Sequence, residues 1–360
     1  TVRILEPHRL SRTTVRTRVV MSETPWVHLH NPATNDLAEH LPENLHEIVD
    51  QRLHHTLNFQ ADIFARLESH DHYLFGEFAY PVYHERLDEV ETLGIRVIID
   101  FNRFLTVTRT PTDMPSSISM PDLTDEQETA RALALDPGDC IWLLTVTISK
   151  AIHELLDLAH SRTDDIERLL NHENSPEFSA TNCRQQIARL RNIFLQLSTI
   201  TLPTLALVEK IIDDDLDLEE TIDGKTRELF PRYTEIHLID VRESLRHAVQ
   251  RFEYGQNMMH TLSQNLSDYL NREQARAANR LTAMASIMLL PTFIVGLYGM
   301  NIDKNYFPEF GWLNGYLLAW LVIGTITIAQ VAAFRKMGWL FQKKRPDPRE
   351  DPTAANLPPS

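Results

Sequence analysis

The rhythm of hydrophobic and polar positions changes several times along the chain. Near the N-terminus, short runs such as TPWVHLH, HYLFGEFAYPVY and GIRVIIDFNRFLTVTRTP interleave apolar and polar residues in the pattern of half-buried strands. Between the first two runs, Leu41 to Leu67 reads as helix. From Cys140 the period becomes helical, in CIWLLTVTISKAIHELLDLAHSRTDDIERLL and NCRQQIARLRNIFLQLSTI, on either side of a polar turn at Asn171 to Pro176. A helical hairpin attached to a sheet domain follows from that order.

From Tyr233 to Leu290 there is no proline and the helical period persists. At 1.5 Å per residue, a helix extended from there to Met300 approaches about 100 Å. Its apolar positions keep a three-four spacing: Leu238, Val241, Leu245, Ala248, Phe252, Gly255, Met259, Leu262, Leu266 and Tyr269, a coiled-coil-like seam. Two residues along runs a polar stripe, Asp240, Glu243, His247, Gln250, Tyr254, Asn257, Thr261, Gln264, Asp268 and Asn271. The same spacing then gives Ala275, Ala278, Thr282, Ala285, Leu289, Thr292, Gly296 and Gly299, mostly small, between flanking Leu, Ile, Met and Phe. Taken alone, the polar stripe is a solvated side, and a small-residue stripe serves equally as a helix-packing face. Its continuity with a polar face about 50 Å long favours a water-filled funnel that narrows to a pore when several copies place the stripe inward.

Leu281 to Tyr298 and Gly311 to Phe334 contain no charged residue, and each is long enough to cross about 30 Å of hydrocarbon. Both read as transmembrane helices in a lipid bilayer. A basic cluster, Arg335, Lys336, Lys343, Lys344 and Arg345, follows the second, so the C-terminus is expected in the cytoplasm and, with two spans, the N-terminal region too. Trp312, Tyr316, Trp320 and Trp339 fall near the span ends, where amphipathic rings favour the interface. The opening TVRILEPHRLSRTTVRTRVV is basic without a continuous apolar core, so no signal peptide is expected there.

The expected organisation is a basic tail over 1–22, a cytoplasmic α/β domain over 23–139, its helical hairpin over 140–222 and the domain-side part of the long helix over 223–280. A pore-lining first span over 281–300, an external loop over 301–312, a second span over 313–334 and a basic, Pro-rich tail over 335–360 complete it. Charge narrows the function further. A formal net charge of -15 over 360 residues excludes a general nucleic-acid binder and suits a protein that attracts cations. Cys140 and Cys183 stand alone, which argues against a disulfide scaffold or a thiolate zinc site. The acidic run IIDDDLDLEE, Ile211 to Glu220, reads as a solvated face, and His54, His55, His70 and His72 show no zinc-site pairing.

Tyr298-Gly299-Met300-Asn301 at the end of the first span, a short hairpin with Pro308-Glu309, and a second span followed by RKMGWL resemble the CorA-type magnesium channels. The likeness extends through WVHLHNP, the strand pairs, the helical hairpin and LIDVRESL. It implies an α+β membrane protein, a homopentameric funnel with an N-terminal cytoplasmic αβα domain, a long stalk and pore helix from each chain and two C-terminal transmembrane helices, the second on the outside. It also implies a transporter of Mg²⁺, and of Co²⁺ or Ni²⁺ besides, with no enzymatic activity and no organic cofactor.

Roles follow for particular residues. Mg²⁺ holds its octahedral waters tightly, so a ring of Asn301 amides that hydrogen-bond those waters makes a selective mouth. Gly299 removes a side chain where chains approach, and Met300 packs beside the mouth; a helix C-cap is the bland alternative for this trio. Asp303 and Glu309 concentrate cations by field, or belong to an ordinary solvated hairpin. Thr292 offers a hydroxyl inside the pore, while Leu289 and Leu281 form apolar constrictions that gate by dewetting, or else contact lipid or helix. By resemblance, Asp240 belongs to an intersubunit regulatory site where cytosolic Mg²⁺ holds the assembly closed.

Two departures stand out. The family's pore asparagine is replaced in Glu273-Gln274-Ala275-Arg276, so that either the inner polar ring is missing or Asn271 supplies it, and the acidic partner of Asp240 has no clear counterpart, Asp62 being nearest. Ala275 keeps a related Zn²⁺-transporting branch in view. A membrane-tethered oligomeric scaffold or sensor without transport is the remaining rival.

Overall fold

The computed structural model describes residues 25–42, 44–55, 63–85, 88–111, 114, 121–172, 178–222, 225–299 and 315–340. They fall into two compact units, one up to Leu262 and one from Ser263.

The first unit opens with β1 (Trp26–His30), α1 (Thr34–Ala38), α2 (Glu47–His54), β2 (Arg66–His70), β3 (Tyr73–His84), β4 (Glu89–Ile99) and β5 (Phe104–Thr108). The strands form one sheet in the order β1-β5-β4-β3-β2, antiparallel except for β1 on β5. Helices α1 and α2 cover one face, packing Leu37, Val49 and Leu53 on Phe75, Ile98, Leu105 and Val107. The other face lies under α3 (Thr124–Leu133), α4 (Pro137–Asn171) and α5 (Ala180–Ile212). Covering both faces explains why β3 is buried over most of its length instead of alternating. Pro81 lies in the part of β3 beyond Tyr73–Glu77, the residues that pair with β2, where β4 is the strand's one partner among the described residues, an edge-like position in which proline is tolerated.

This is the αβα arrangement expected, with one local correction. The stretch from Leu41 to Leu67 is not one helix: α2 covers only Glu47–His54, and Arg66–His70 is the edge strand β2. The apolar spacing of that stretch is shared between a helix and a strand that pack on the same sheet, and His46 caps α2 with a ring nitrogen that accepts from Ile48 N–H at 3.3 Å.

Pro137 opens α4 at a position where no amide donor is needed. Ser179 caps α5, its hydroxyl accepting from Asn182 N–H at 3.4 Å. The hairpin β6 (Glu219–Ile222) and β7 (Lys225–Glu228) leads into α6 (Arg232–Tyr298). Within the first unit, α6 turns Leu238, Val241, Leu245, Ala248, Phe252, Gly255, Met259 and Leu262 inward, all buried. The seam that looked like a coiled coil is therefore satisfied by α4 and α5 of the same chain. Ser244 and Ser149 hydroxyls lie 2.9 Å apart, Arg246 reaches Glu209 at 2.7 Å, and a Cβ on Gly255 would lie 2.4 Å from the Phe194 ring.

The second unit holds the rest of α6 and α7 (Gly315–Lys336). Ala283 is fully buried there, and Gln330 of α7 donates from Nε2 to the Ser286 carbonyl of α6 at 3.3 Å. The Phe334 ring, in the last turn of α7, stacks on the Trp339 ring just past the end of that helix.

Candidate ion pathway

Helix geometry puts the polar stripe on the side of α6 away from its seam, and burial bears this out in each unit taken by itself. In the first unit, Asp240, Glu243, His247, Gln250, Tyr254, Asn257 and Thr261 are all exposed. In the second, Gln264, Asp268, Asn271, Ala275, Ala278, Thr282, Ala285, Leu289, Thr292, Gly296 and Gly299 are all exposed too. Leu281, one place off the stripe, is 68 % exposed, and Leu289 on it is 71 % exposed.

The threonines on this stripe have satisfied donors. Thr282 donates to the Ala278 carbonyl at 2.9 Å and Thr292 to the Met288 carbonyl at 2.7 Å. Each hydroxyl oxygen thus keeps acceptor capacity on the exposed face, which is the chemistry a hydrated cation reads.

Neither glycine of the stripe has the positive φ that would by itself demand glycine. Gly299 does not adopt the left-handed conformation and its N–H continues the helical pattern to the Val295 carbonyl at 2.9 Å, so a glycine C-cap does not explain it. Among the described residues, a Cβ on Gly296 would meet nothing within 4 Å, and one on Gly299 would crowd the Val295 carbonyl oxygen at 3.3 Å and touch that of Gly296 at 3.5 Å.

Met300, Asn301, Asp303 and Glu309 lie outside the described residues, as do Lys343 and Lys344; Arg335 and Lys336 form the basic last turn of α7. Asp240 is exposed on α6, and among the described residues no group of three or more His, Cys, Asp or Glu is arranged to hold a metal ion. Its nearest acidic candidate, Asp62, also lies outside the described residues. The acidic run at Ile211 to Glu220 does not converge either: Asp217 accepts from the Leu218 and Phe230 N–H groups at 2.7 and 3.0 Å. Burial pushes its carboxyl above the usual range against those bonds.

Sequence reasoning passed over Gln330. Its Nε2 is bonded to α6 while its Oε1 is buried with no hydrogen-bond partner among the described residues. The signal was present as a lone amide in an otherwise apolar segment.

Compared with protein families, residues 22–336 match the model for CorA-like Mg²⁺ transporter protein. The chain belongs to that family. Its members are transporters, not enzymes. Among CorA relatives, the magnesium transport protein CorA of Helicobacter pylori is 34 % identical over 84 residues, 23 % of this chain and 26 % of that protein. The cobalt/magnesium transport protein CorA of Thermotoga maritima is 29 % identical over 126 residues, 34 % of this chain and 35 % of that protein. These alignments thus span about a quarter to a third of each relative's length. Among solved structures, the complete CorA magnesium transporter from Methanocaldococcus jannaschii superposes with a TM-score of 0.65 at 14 % identity, covering 91 % of this chain and 95 % of that one. The full-length CmaX protein does so with a TM-score of 0.60 at 16 % identity, covering 87 % and 88 %. The CorA fold, an α+β domain with a long helix and two C-terminal apolar helices, is therefore the fold of this chain.

Proposed function

We propose that the chain assembles as a homopentamer in the cell membrane and conducts Mg²⁺, and also Co²⁺ or Ni²⁺, inward along the α6 stripe, with N- and C-termini cytoplasmic. One observation carries this reading: the described stripe is exposed at every position in the single chain, and a Cβ on Gly296 would meet nothing among the described residues. A face of this kind makes physical sense where symmetry-related helices approach closely around an axis.

The roles follow from position. Asn301 amides form an outer ring that hydrogen-bonds the waters of hydrated Mg²⁺, which the ion releases reluctantly. Gly299 and Met300 let the chains close around that ring. Asp303 and Glu309 raise the local cation concentration at the outer mouth. Thr292 and Thr282 offer hydroxyl oxygens, while Leu289 and Leu281 act as apolar constrictions that dewet when narrow. Gly296, Ala285 and Ala278 keep the bore open between them. Asn271 supplies the inner polar ring in place of Ala275. Arg335, Lys336, Lys343 and Lys344 form a basic ring at the cytoplasmic end of the second span. Intracellular Mg²⁺ bound near Asp240 gates the assembly closed.

Liposome flux with a Mg²⁺-sensitive dye tests the reading. Uptake by the wild-type chain that collapses in Asn301→Ala is expected; no uptake by wild type, or unchanged uptake by the variant, would overturn it. Ala275 favours a second reading, a Zn²⁺ transporter of the ZntB-like branch, because it removes an inner amide. Saturating Zn²⁺ uptake that Mg²⁺ fails to compete with in the same vesicles would select that branch. Vesicles that show no flux of either ion leave the oligomeric scaffold.

A further inference from the structure

Helices α4 and α6 meet along a line of paired side chains that the ion pathway does not use. Ser149 lies 2.9 Å from Ser244, His153 stacks on His247, and Asp157 pairs with Arg251 at 2.5 Å. The two imidazoles are nearly parallel, 7° apart, with ring centroids separated by 6.2 Å.

His153 Nδ1 lies 2.8 Å from the Ser149 carbonyl oxygen. That oxygen can only accept, so in the neutral ring the proton sits on Nδ1 and Nε2 presents its lone pair. This is how histidine ligands are oriented in metal sites, by a hydrogen bond from the other ring nitrogen. The partner ring, His247, is exposed on α6 and has room to turn. Parallel rings aim their lone pairs within parallel planes, so one ion meets both nitrogens only when His247 turns its edge toward His153 Nε2; the observed centroid separation is within reach of two metal–nitrogen bonds of about 2.0–2.1 Å once it has turned.

We infer that His153 and His247 form a binding site for a transition-metal dication, Zn²⁺, Co²⁺, Ni²⁺ or Cu²⁺, that bridges α4 and α6. Imidazole nitrogen suits these ions, whereas Mg²⁺ is held by oxygen, so the site is blind to Mg²⁺. Water completes the coordination, because Asp157, one turn beyond His153, is held by the Arg251 guanidinium. Two protein ligands make it a site that fills and empties with metal concentration, and the metal ties the stalk helix to the helical hairpin while bound. The site stands whether or not the chain is a channel, since both ligands and their geometry lie in the first unit.

The full chain in detergent, titrated calorimetrically with Zn²⁺ alone, tests the inference. Wild type is expected to bind one more Zn²⁺ per chain than either His247→Ala or His153→Gln. The glutamine keeps a donor for the Ser149 carbonyl while removing the ligand, and His247 is exposed, so both variants should unfold at the wild-type temperature. Arg251→Ala, which releases Asp157 as a third ligand, should tighten binding, and excess Mg²⁺ should leave it unchanged. Equal stoichiometry and affinity in wild type and both histidine variants would overturn the inference, as would displacement of the metal by Mg²⁺.

Discussion

Helix α5 and the C-terminal part of α6 are close to equivalent as strings of residues. Each contains an apolar stretch long enough to cross a bilayer, an internal proline at Pro203 or Pro291, and threonines whose hydroxyls bond a carbonyl one turn back. What differs is the company they keep. Helix α5 buries Ile193, Phe194, Leu197, Ile200, Leu207 and Val208 against the sheet, α4 and α6. The outer part of α6 leaves Leu281, Met284, Met288, Leu289, Phe293 and Val295 exposed. Length and hydropathy set an upper bound on what can cross a membrane, and the presence of a partner for the apolar face decides which segment does.

That difference is open to direct attack. Phe194→Ala removes a fully buried ring from α5 and opens the pocket under Gly255, so it should cost the first unit about 3–5 kcal/mol, read as a lowered unfolding midpoint of the full chain. Phe293→Arg, at a 62 % exposed position of α6, should leave that unfolding transition in place and instead cost about 2.5–3.5 kcal/mol of membrane insertion, read by resistance to carbonate extraction. If both substitutions act on the same transition, α5 and the outer α6 are not distinguished by their surroundings after all. Gly255→Ala drives a methyl group into the Phe194 ring and should destabilise by about 1–3 kcal/mol, with Phe194→Leu in the same chain recovering part of it.

A pH experiment sharpens the same contrast, because among the described residues a buried carboxyl of this kind occurs in the first unit. Asp139, in the first turn of α4, accepts a hydrogen bond from the Thr234 hydroxyl of α6, yet burial outweighs that bond and holds its pKa above the ordinary 3.8. A pKa raised in the folded state means the folded chain binds the proton more tightly, so this group's contribution is full at low pH and is lost as the pH rises through the raised value. Asp139→Asn should therefore flatten the fall in stability that sets in as the pH rises above the ordinary carboxylate value, measured by chemical denaturation across the acid range. The smallest effect belongs to the exposed pair of Arg246 with Glu209, where Arg246→Ala should barely move the unfolding midpoint and the shift should shrink further in salt.

Much of the architecture was legible because it is written in periods. Strands over TPWVHLH and HYLFGEFAYPVY, the helical pair after Cys140 and the long helix after Tyr233 all emerged from spacing and from the absence of proline. The stripe on α6 was legible for the same reason: a rigid helix fixes which residues share a face over any length. Leu41 to Leu67 failed because a short helix and an edge strand that cover one sheet carry apolar residues compatible with either period. The seam was legible as an apolar face that needs cover, but periodicity is silent on which element provides it. Gln330 and the His153 and His247 pair were missed because their meaning depends on residues 44 and 94 positions away, Ser286 in the first case and each other in the second.

The sequence by itself determined the elements, the face of α6 that stays polar or small, the apolar segments near Leu281 and Trp320, and the cation-attracting charge. These are local quantities, fixed by rotation per residue and by side-chain chemistry. Only the tertiary structure decided that α4 and α5 cover the seam, that Phe194 claims the space over Gly255, that a Cβ on Gly296 would meet nothing among the described residues, and that two histidines from different helices come to lie ring against ring. Those outcomes depend on which surfaces meet, and contact between residues far apart in the chain is set by close packing, which no local pattern encodes.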